Sequence, residues 1–401
     1  MTSATSRLSS GTTVAAGMMG MNVAIYVFTV AAARALVPAE LGALIALLGV
    51  LLIGNVVSLG IQAATARRIA VAPQDRAHVI GPVLRVTAAA ATTVGALVAL
   101  SSVVMTPVLR LDSSWPVILA GLTLVPLTVM GAQAGIAQGS ERWGALTAIY
   151  LANGVGRLLF GSLAVAIEPT ATAAMVGIAV GAWAPVLAGL PLLRGHLLHP
   201  KAGGRRAFVR EAVGGSHALL AYFVLSSLDA LVARNRFEPD EAGLYAAGLI
   251  LTKAALFAPQ FVSVVVFPAL ARDETRRARG LAVLAVVGLG TVAVAATALL
   301  PQVALILVGG PQYAEIADRL WLFALAGSLL AVVHILVFDA LARHAHGIVV
   351  LLWGAVATVL VAAYTLDVHL TGLVTIVVAV ATTLAVVVWF LPGESTSHRA
   401  S

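Results

Sequence analysis

Twelve long apolar segments, separated by short polar breaks, constrain this chain more than any other feature of its sequence. A run of about 20 apolar residues can cross a bilayer as a helix, because every backbone polar group is then satisfied within the segment. The runs lie at residues 12–37, 41–66, 79–105, 115–139, 143–167, 171–194, 209–233, 241–271, 281–308, 317–341, 346–366 and 370–391. The pattern therefore predicts an all-α polytopic membrane protein with twelve transmembrane helices.

Composition agrees with this class, since only 10% of the 401 residues are charged and 60% are hydrophobic. A soluble domain carries about 25% charged residues. The first apolar run is too long for the core of a signal peptide, so we interpret it as a retained helix. The chain has no cysteine, which excludes disulfides and thiolate metal sites, and we expect no cofactor.

The basic residues set an orientation. If the N-terminus is inside, sixteen of the 24 Lys and Arg residues fall in cytoplasmic segments, five fall outside, and Arg85, Arg157 and Lys253 lie within spans. The positive-inside rule then places both termini in the cytoplasm. Topology thus accounts for the net charge of +7, and no aromatic residues interleave with the arginines as in a nucleic-acid site. We expect no nucleic-acid partner.

One short polar turn occurs twice. Pro38, Glu40 and Gly42 follow the first span, and the same Pro-x-Glu-x-Gly pattern recurs 201 residues later, after the seventh span. Within each copy, Pro suits a helix start and Glu suits the positive end of that helix's dipole. Because the copies are six spans apart, both halves run in the same direction, which predicts a parallel repeat. We expect an N-terminal six-helix bundle (1–195), a cytoplasmic linker (196–209) and a C-terminal six-helix bundle (210–401).

Polar side chains inside spans are costly, and they usually face a cavity or a partner helix. The candidates for a substrate cavity are Asn22, Tyr26, Asn55, Gln62, Asn153, Arg157, Asp229, Lys253 and Gln260. Arg157 and Lys253 each lie about 12–14 residues into a span, near mid-membrane at about 1.5 Å per residue. A charge there costs about 2.5–3.5 kcal/mol. We interpret both as cations that face a substrate; the alternative is a buried ion pair that fastens two helices.

Four segments carry a resemblance to a known family. They are "ARALVPAELGAL" after the first span, "GIAQGSERWGAL" after the fourth, residues 228–272 around the seventh and eighth, and "LVGGPQYAEIADRLWLFAL" before the tenth. They resemble polysaccharide flippases of the multidrug/oligosaccharidyl-lipid/polysaccharide (MOP) exporter superfamily. The resemblance implies two six-helix bundles around a central cavity, lined by helices 1, 2, 7 and 8.

It also implies a function without enzymatic chemistry. Such a protein moves a polyprenyl-pyrophosphate-linked glycan from the inner to the outer leaflet of the bacterial cytoplasmic membrane by alternating access. Membrane lipids and glycan-assembly enzymes are the other partners that we expect. Since the substrate is anionic, a cavity with Arg157 and Lys253 suits it.

Two other functions stay open on the sequence. A cation-coupled multidrug exporter of the same superfamily commonly places carboxylates within its bundles, and the first span has none. A membrane glycosyltransferase usually needs a carboxylate pair on an outer loop, and the first outer loop offers only Glu40. The sequence therefore favours the flippase.

Overall fold

The structure, a computed structural model, describes residues 2–71, 74, 76–193, 205–214, 216–256, 276–342 and 347–391. These residues form helices joined by short turns, and no strand occurs among them. The predicted all-α class is confirmed. Contacts divide the chain into two compact units, Met1–His217 and Ala218–Ser401.

The first unit contains ten α-helices within the described residues. They are α1 (Thr2–Ala35), α2 (Pro38–Gly54), α3 (Val56–Val71), α4 (Arg76–Leu100), α5 (Ser102–Val108), α6 (Trp115–Gly139), α7 (Trp143–Ile167), α8 (Ala171–Gly181), α9 (Trp183–Gly189) and α10 (Arg205–Gly214). Pairs of these helices form single predicted spans: α2 with α3, α4 with α5, and α8 with α9. The strongest packing joins α1 to α7 and α6 to both α3 and α4.

The second unit holds the remaining helices. They are α11 (Ser216–Arg236, which begins two residues before the boundary), α12 (Pro239–Ala255), α13 (Arg276–Leu299), α14 (Pro301–Val308), α15 (Leu320–Ala342), α16 (Gly347–Thr365) and α17 (Leu370–Trp389). A 3-10 segment, Pro311–Arg319, leads into α15. Helix α15 is central to this unit, since it packs against α12, α13 and α17.

Eleven helical stretches of the described residues are long and apolar enough to cross a membrane. Each corresponds to one predicted span. The twelfth predicted span, 241–271, begins as helix α12, whose described part ends at Ala255. Residues 257–275 lie outside the described residues, and with them Pro259, Pro268 and the candidate Gln260. The described helices are those of a multi-pass membrane protein.

The seventh span begins later than the sequence pattern indicated, at Ser216 and not at residue 209. The residues before it form the separate helix α10, which packs on α3 and α4. Phe208 of α10 is fully buried, the Arg68 guanidinium lies 5.0 Å from its ring centroid, and Arg68 Nε donates to Glu211 at 2.8 Å. Because α10 carries three arginines and one glutamate in ten residues, it is too polar to continue the span.

Glycines set the close approach of α6 to α3. Gly131, Gly135 and Gly139 recur every four residues on one face of α6. A Cβ atom at Gly135 would lie 2.6 Å from the Gln62 carbonyl oxygen, and one at Gly139 would lie 2.6 Å from the Ala66 carbonyl oxygen. Membrane helices commonly pack through such small-residue stripes, because lipid gives no hydrophobic driving force for their association. The stripe thereby fixes the position of α3.

The repeated turn makes the same contact in both units. Glu40 Oε2 accepts a hydrogen bond from the Ala171 amide at 2.5 Å, and Glu241 Oε1 accepts one from the Leu370 amide at 3.2 Å. Ala171 begins α8 and Leu370 begins α17. Each glutamate lies in the first turn of its own helix, as the sequence predicted, but its hydrogen bond goes to the N-terminus of a different helix.

Candidate substrate site

The seam between α1 and α7 positions the arginine of the first unit. Gly154 and Gly161 of α7 face α1, where added Cβ atoms would lie 2.7 Å from Met21 Cα and 2.5 Å from the Phe28 ring. Arg157 stands between these two glycines, and its guanidinium carbon lies 5.4 Å from the Phe28 ring centroid. This distance is within the range of a cation–π contact.

Arg157 contacts no carboxylate in the part of the chain that the structure describes. Its Nε atom is buried and has no hydrogen-bond acceptor there. A buried donor without an acceptor costs about 1–3 kcal/mol, and more when the group is charged. The alternative raised by the sequence, a buried ion pair that fastens two helices, therefore has no partner for Arg157 among the described residues.

Amide side chains continue along the same seam. Asn153 lies one turn from Arg157 on α7, and its Nδ2 lies 3.5 Å from Met21 Sδ on α1. Asn22 of α1 is 7% exposed, and Tyr26 is half-buried one turn further along. Both Asn22 and Tyr26 interact with other groups of the structure. The helix seam thus carries four of the predicted cavity residues: Asn22, Tyr26, Asn153 and Arg157.

Gln62 links three helices of the first unit. Its Nε2 donates to the Tyr150 hydroxyl of α7 at 2.8 Å and to Gln138 Oε1 of α6 at 3.1 Å. Side-chain amide bonds of this kind stabilise membrane helix pairs modestly, by about 0.6–2 kcal/mol. Gln62 therefore has the helix–helix role that the sequence left open.

Asn55 marks an interruption within the second predicted span. It lies between α2 and α3, where the helical stretch Pro38–Val71 is interrupted by a single turn residue. Its Oδ1 is buried and has no hydrogen-bond partner within the described residues. Interrupted helices in membrane proteins are tolerated where the broken backbone lies in protein or lines a cavity. Among the predicted residues, Asn55 and Arg157 thus each retain a buried polar atom without a partner.

The two charged candidates of the second unit, Asp229 and Lys253, do not form a direct ion pair in the described structure. Lys253 Nζ donates to the main-chain carbonyl of Ser226 on α11. Asp229 is 2% exposed, and its Oδ1 accepts from the Ala230 amide at 2.9 Å, while its Oδ2 accepts from the Tyr245 hydroxyl at 3.4 Å.

These two side chains approach the two ends of one helical hydrogen bond. In an α-helix the amide of residue 230 is the regular donor to the carbonyl of residue 226. Asp229 binds that amide, and Lys253 binds that carbonyl. Both side chains therefore bind peptide groups of the same turn of α11, and they do so without contacting one another.

Sequence reasoning missed the aromatic partners of these charges. Phe28 and Tyr245 are fully buried, and each lies beside a charged candidate. The segment "GVGRLLFG" contained the available signal for a close helix seam at Arg157. Gly154 lies three residues before Arg157 and Gly161 lies four residues after it, and both allow α1 to approach closely.

Comparisons with known proteins bear on the fold. No protein-family model and no curated protein matches the sequence. The inward-facing conformation of a multidrug resistance MATE family transporter of the MOP superfamily matches with a TM-score of 0.71 at 12% identity, over 94% of this chain and 96% of that one. The lipid II flippase MurJ, in its inward closed conformation, matches with a TM-score of 0.73 at 8% identity, over 94% of this chain and 86% of that one. A MATE structure in a bent conformation gives 0.61 at 12% identity, over 95% and 93%.

At these identities the comparisons establish the fold: the chain has the fold of MOP-superfamily transporters. A multidrug transporter and a lipid flippase share it. Because proteins with different substrates share this fold, the fold alone assigns no substrate to this chain.

Proposed function

We propose that the protein is a flippase that carries a lipid-linked oligosaccharide, held on a polyprenyl-pyrophosphate carrier, across the bacterial cytoplasmic membrane by alternating access. Both termini would be cytoplasmic. The pyrophosphate would be bound by cationic side chains and the sugars by amide and hydroxyl groups. The prenyl chain would stay in lipid, and no covalent step is required of the protein.

The charge of the first unit is the observation that carries this proposal. The described part of the first unit contains five carboxylates, and three of them, Asp112, Glu141 and Glu168, lie in connections between helices. Of the other two, Glu40 is hydrogen-bonded to the Ala171 amide and Glu211 of α10 is hydrogen-bonded to Arg68. Arg157 is thus a mid-helix cation in a set of spans that offers it no carboxylate. Such a group favours an anionic substrate and repels an organic cation.

Arg157 has the chemistry to bind a phosphate group. Its guanidinium can bind two oxygens of a phosphate at once, and its Nε needs an acceptor. Phe28 supports the guanidinium from one side without consuming any of its N–H donors. The nearby amide Asn153 is a neutral donor and acceptor that suits sugar hydroxyls.

Lys253 is the second cation that we assign to substrate binding. Its ammonium has three donors, and the Ser226 carbonyl takes one of them. A phosphate oxygen could accept a hydrogen bond from the other donors of the ammonium. It could also replace the carbonyl, which is a weaker partner than a charged oxygen. This assignment makes Lys253 a binding residue whose resting partner is the backbone of α11.

The test is flipping of a fluorescent polyprenyl-pyrophosphate-linked sugar in proteoliposomes, read by quenching from one side. We expect Arg157→Ala to lose most flipping, Arg157→Lys to retain part of it, and Phe28→Leu to weaken it less. Asp112→Ala, a change in a connection between helices, is the control and should leave flipping unchanged. Full flipping by a stably folded Arg157→Ala protein would contradict the proposal that Arg157 binds the substrate.

A multidrug exporter is the second candidate function, and Asp229 favours it. A buried carboxylate bonded to a tyrosine is a group that a proton or an organic cation can neutralise. Proteoliposomes with a proton or sodium gradient separate the two functions. Gradient-driven uptake of an organic cation that Asp229→Asn abolishes, without any movement of the lipid-linked sugar, would establish the exporter.

A further inference from the structure

The two glutamate contacts of the repeated turn are equivalent: in both units the acceptor and the donor occupy the same positions within their helices. Pro38 and Pro239 are the first residues of α2 and α12, so each glutamate is the third helical residue. Ala171 and Leu370 are the first residues of α8 and α17. In each unit, therefore, the third residue of one helix binds the first amide of another.

Local capping does not serve these amides. The Thr170 hydroxyl accepts from the Ala173 amide at 3.1 Å, which leaves the Ala171 amide to Glu40. His369, which precedes α17, makes no side-chain capping bond. The first amides of a helix have no partner within the helix, and they form its positive end. A carboxylate from a neighbouring helix satisfies both requirements, and it joins the two helices at that point.

The tied helices carry candidate substrate residues. Helix α2 runs to Asn55, and the stretch it opens continues to Gln62. Helix α12 carries Lys253 near its other end. A movement of α2 or α12 at the glutamate end would therefore tilt these residues, which lie in the same helical stretches.

We infer that Glu40 and Glu241 are paired positioning residues, one in each unit, that hold the helix beginning the second span of the unit (α2 or α12) to the helix beginning its sixth span (α8 or α17) throughout transport. By the charge count, both ties lie on the outer side of the membrane. Each unit then moves while its two tied helices keep this contact at the outer side. This inference rests on the proposed transport function, but its structural part concerns the tie alone.

A labelling experiment tests the tie without any substrate. The chain has no cysteine, so Ala171→Cys provides a single thiol at the first residue of α8, where the side chain is only 3% exposed and a reagent reaches it when the tie opens. In proteoliposomes, adding Glu40→Ala should raise its rate of labelling by a water-soluble maleimide about tenfold, the factor expected when a hydrogen bond to a charged group is lost. The labelling rate with Glu40→Gln should lie between those of the glutamate and alanine proteins, because glutamine keeps the hydrogen-bond acceptor but not the charge. Glu168→Gln, an exposed carboxylate nearby, should have no effect.

A cross-link tests whether the tie persists during transport. Val37→Cys with Pro169→Cys, joined by a short bifunctional thiol reagent, would fasten α2 to α8 covalently. We expect the cross-linked protein to keep flipping the lipid-linked sugar, and cross-linking to restore flipping to a Glu40→Ala variant. Loss of flipping on cross-linking, regained on cleavage of the linker, would show that the two ends must separate and would overturn the inference.

The second unit provides the matched comparison. Glu241→Ala should lower flipping as Glu40→Ala does, whereas Asp240→Asn, its exposed neighbour, should not. Wild-type flipping by a Glu40→Ala/Glu241→Ala protein would also overturn the inference. If the unmodified protein flips no lipid-linked sugar, the proposed function fails, and the labelling rates still decide whether the tie exists.

Discussion

Lys253 offers the clearest separation between a structural clamp and a binding residue. Its ammonium bonds to the Ser226 carbonyl and has no direct contact with Asp229. Removal of one partner of a buried ion pair costs about 3–5 kcal/mol, because the other charge is left uncompensated. Loss of one hydrogen bond to a charged group costs about 1.5–3 kcal/mol. The contacts of Lys253 are of the second kind.

We therefore expect Lys253→Ala to insert and fold, to lose about 1.5–3 kcal/mol of unfolding free energy, and to lose most flipping. Lys253→Arg should retain some flipping, because it keeps the charge. Thermal melting of the detergent-solubilised variants gives the stability, and the Asp229→Asn protein and the double variant complete a cycle. The stability losses of substitutions at independent sites add to within about 0.5 kcal/mol. We expect a coupling between that value and about 2 kcal/mol, since the two side chains bind the Ala230 amide and the Ser226 carbonyl of the same turn of α11.

Two outcomes would refute this reasoning. A stability loss above about 4 kcal/mol in Lys253→Ala, reproduced by Asp229→Asn, would make the two residues a structural clamp. Unchanged flipping by a stable Lys253→Ala protein would exclude Lys253 from the mechanism.

Three further predictions follow from the first unit. Gly135→Ala should destabilise the protein by about 1–3 kcal/mol, since its Cβ would meet the α3 backbone, whereas Gly144→Ala, with nothing within 4 Å, should be neutral or slightly stabilising in the same melting assay. Gln62→Leu should cost about 0.6–2 kcal/mol in that assay, because the bond to the α7 tyrosine is lost; an unchanged melting temperature would contradict its helix-linking role. A membrane-impermeant maleimide should label Asp112→Cys but not Val213→Cys in intact cells, and the reverse would invert the predicted orientation.

The spans were predictable because hydropathy alone determines where a helix can cross a bilayer. Hydropathy could not show the interruption at Asn55 or the separate helix before Ser216, since both depend on local polar groups within or beside an apolar run. The start at residue 209 was wrong because Phe208 and Val209 are apolar, although four charged residues surround them.

The contacts of the candidate site were less predictable than its residues. The sequence identified Arg157 as a costly mid-span charge, but Phe28 lies 129 positions away and belongs to a different helix. The repeated glutamates were recognised as helix-start residues, yet Ala171 and Leu370 lie 131 and 129 positions from them. Such partners follow from tertiary packing, which has no local sequence signal.

The position of α10 has a consequence for how the chain is made. Phe208 and Glu211 are among the last residues of the first unit to be synthesised, and they bind α3, α4 and Arg68, which leave the ribosome much earlier. Since domains generally fold in order of synthesis, the N-terminal bundle can be completed before most of the second bundle has been inserted. Docking of α10 would then mark the completion of the first unit.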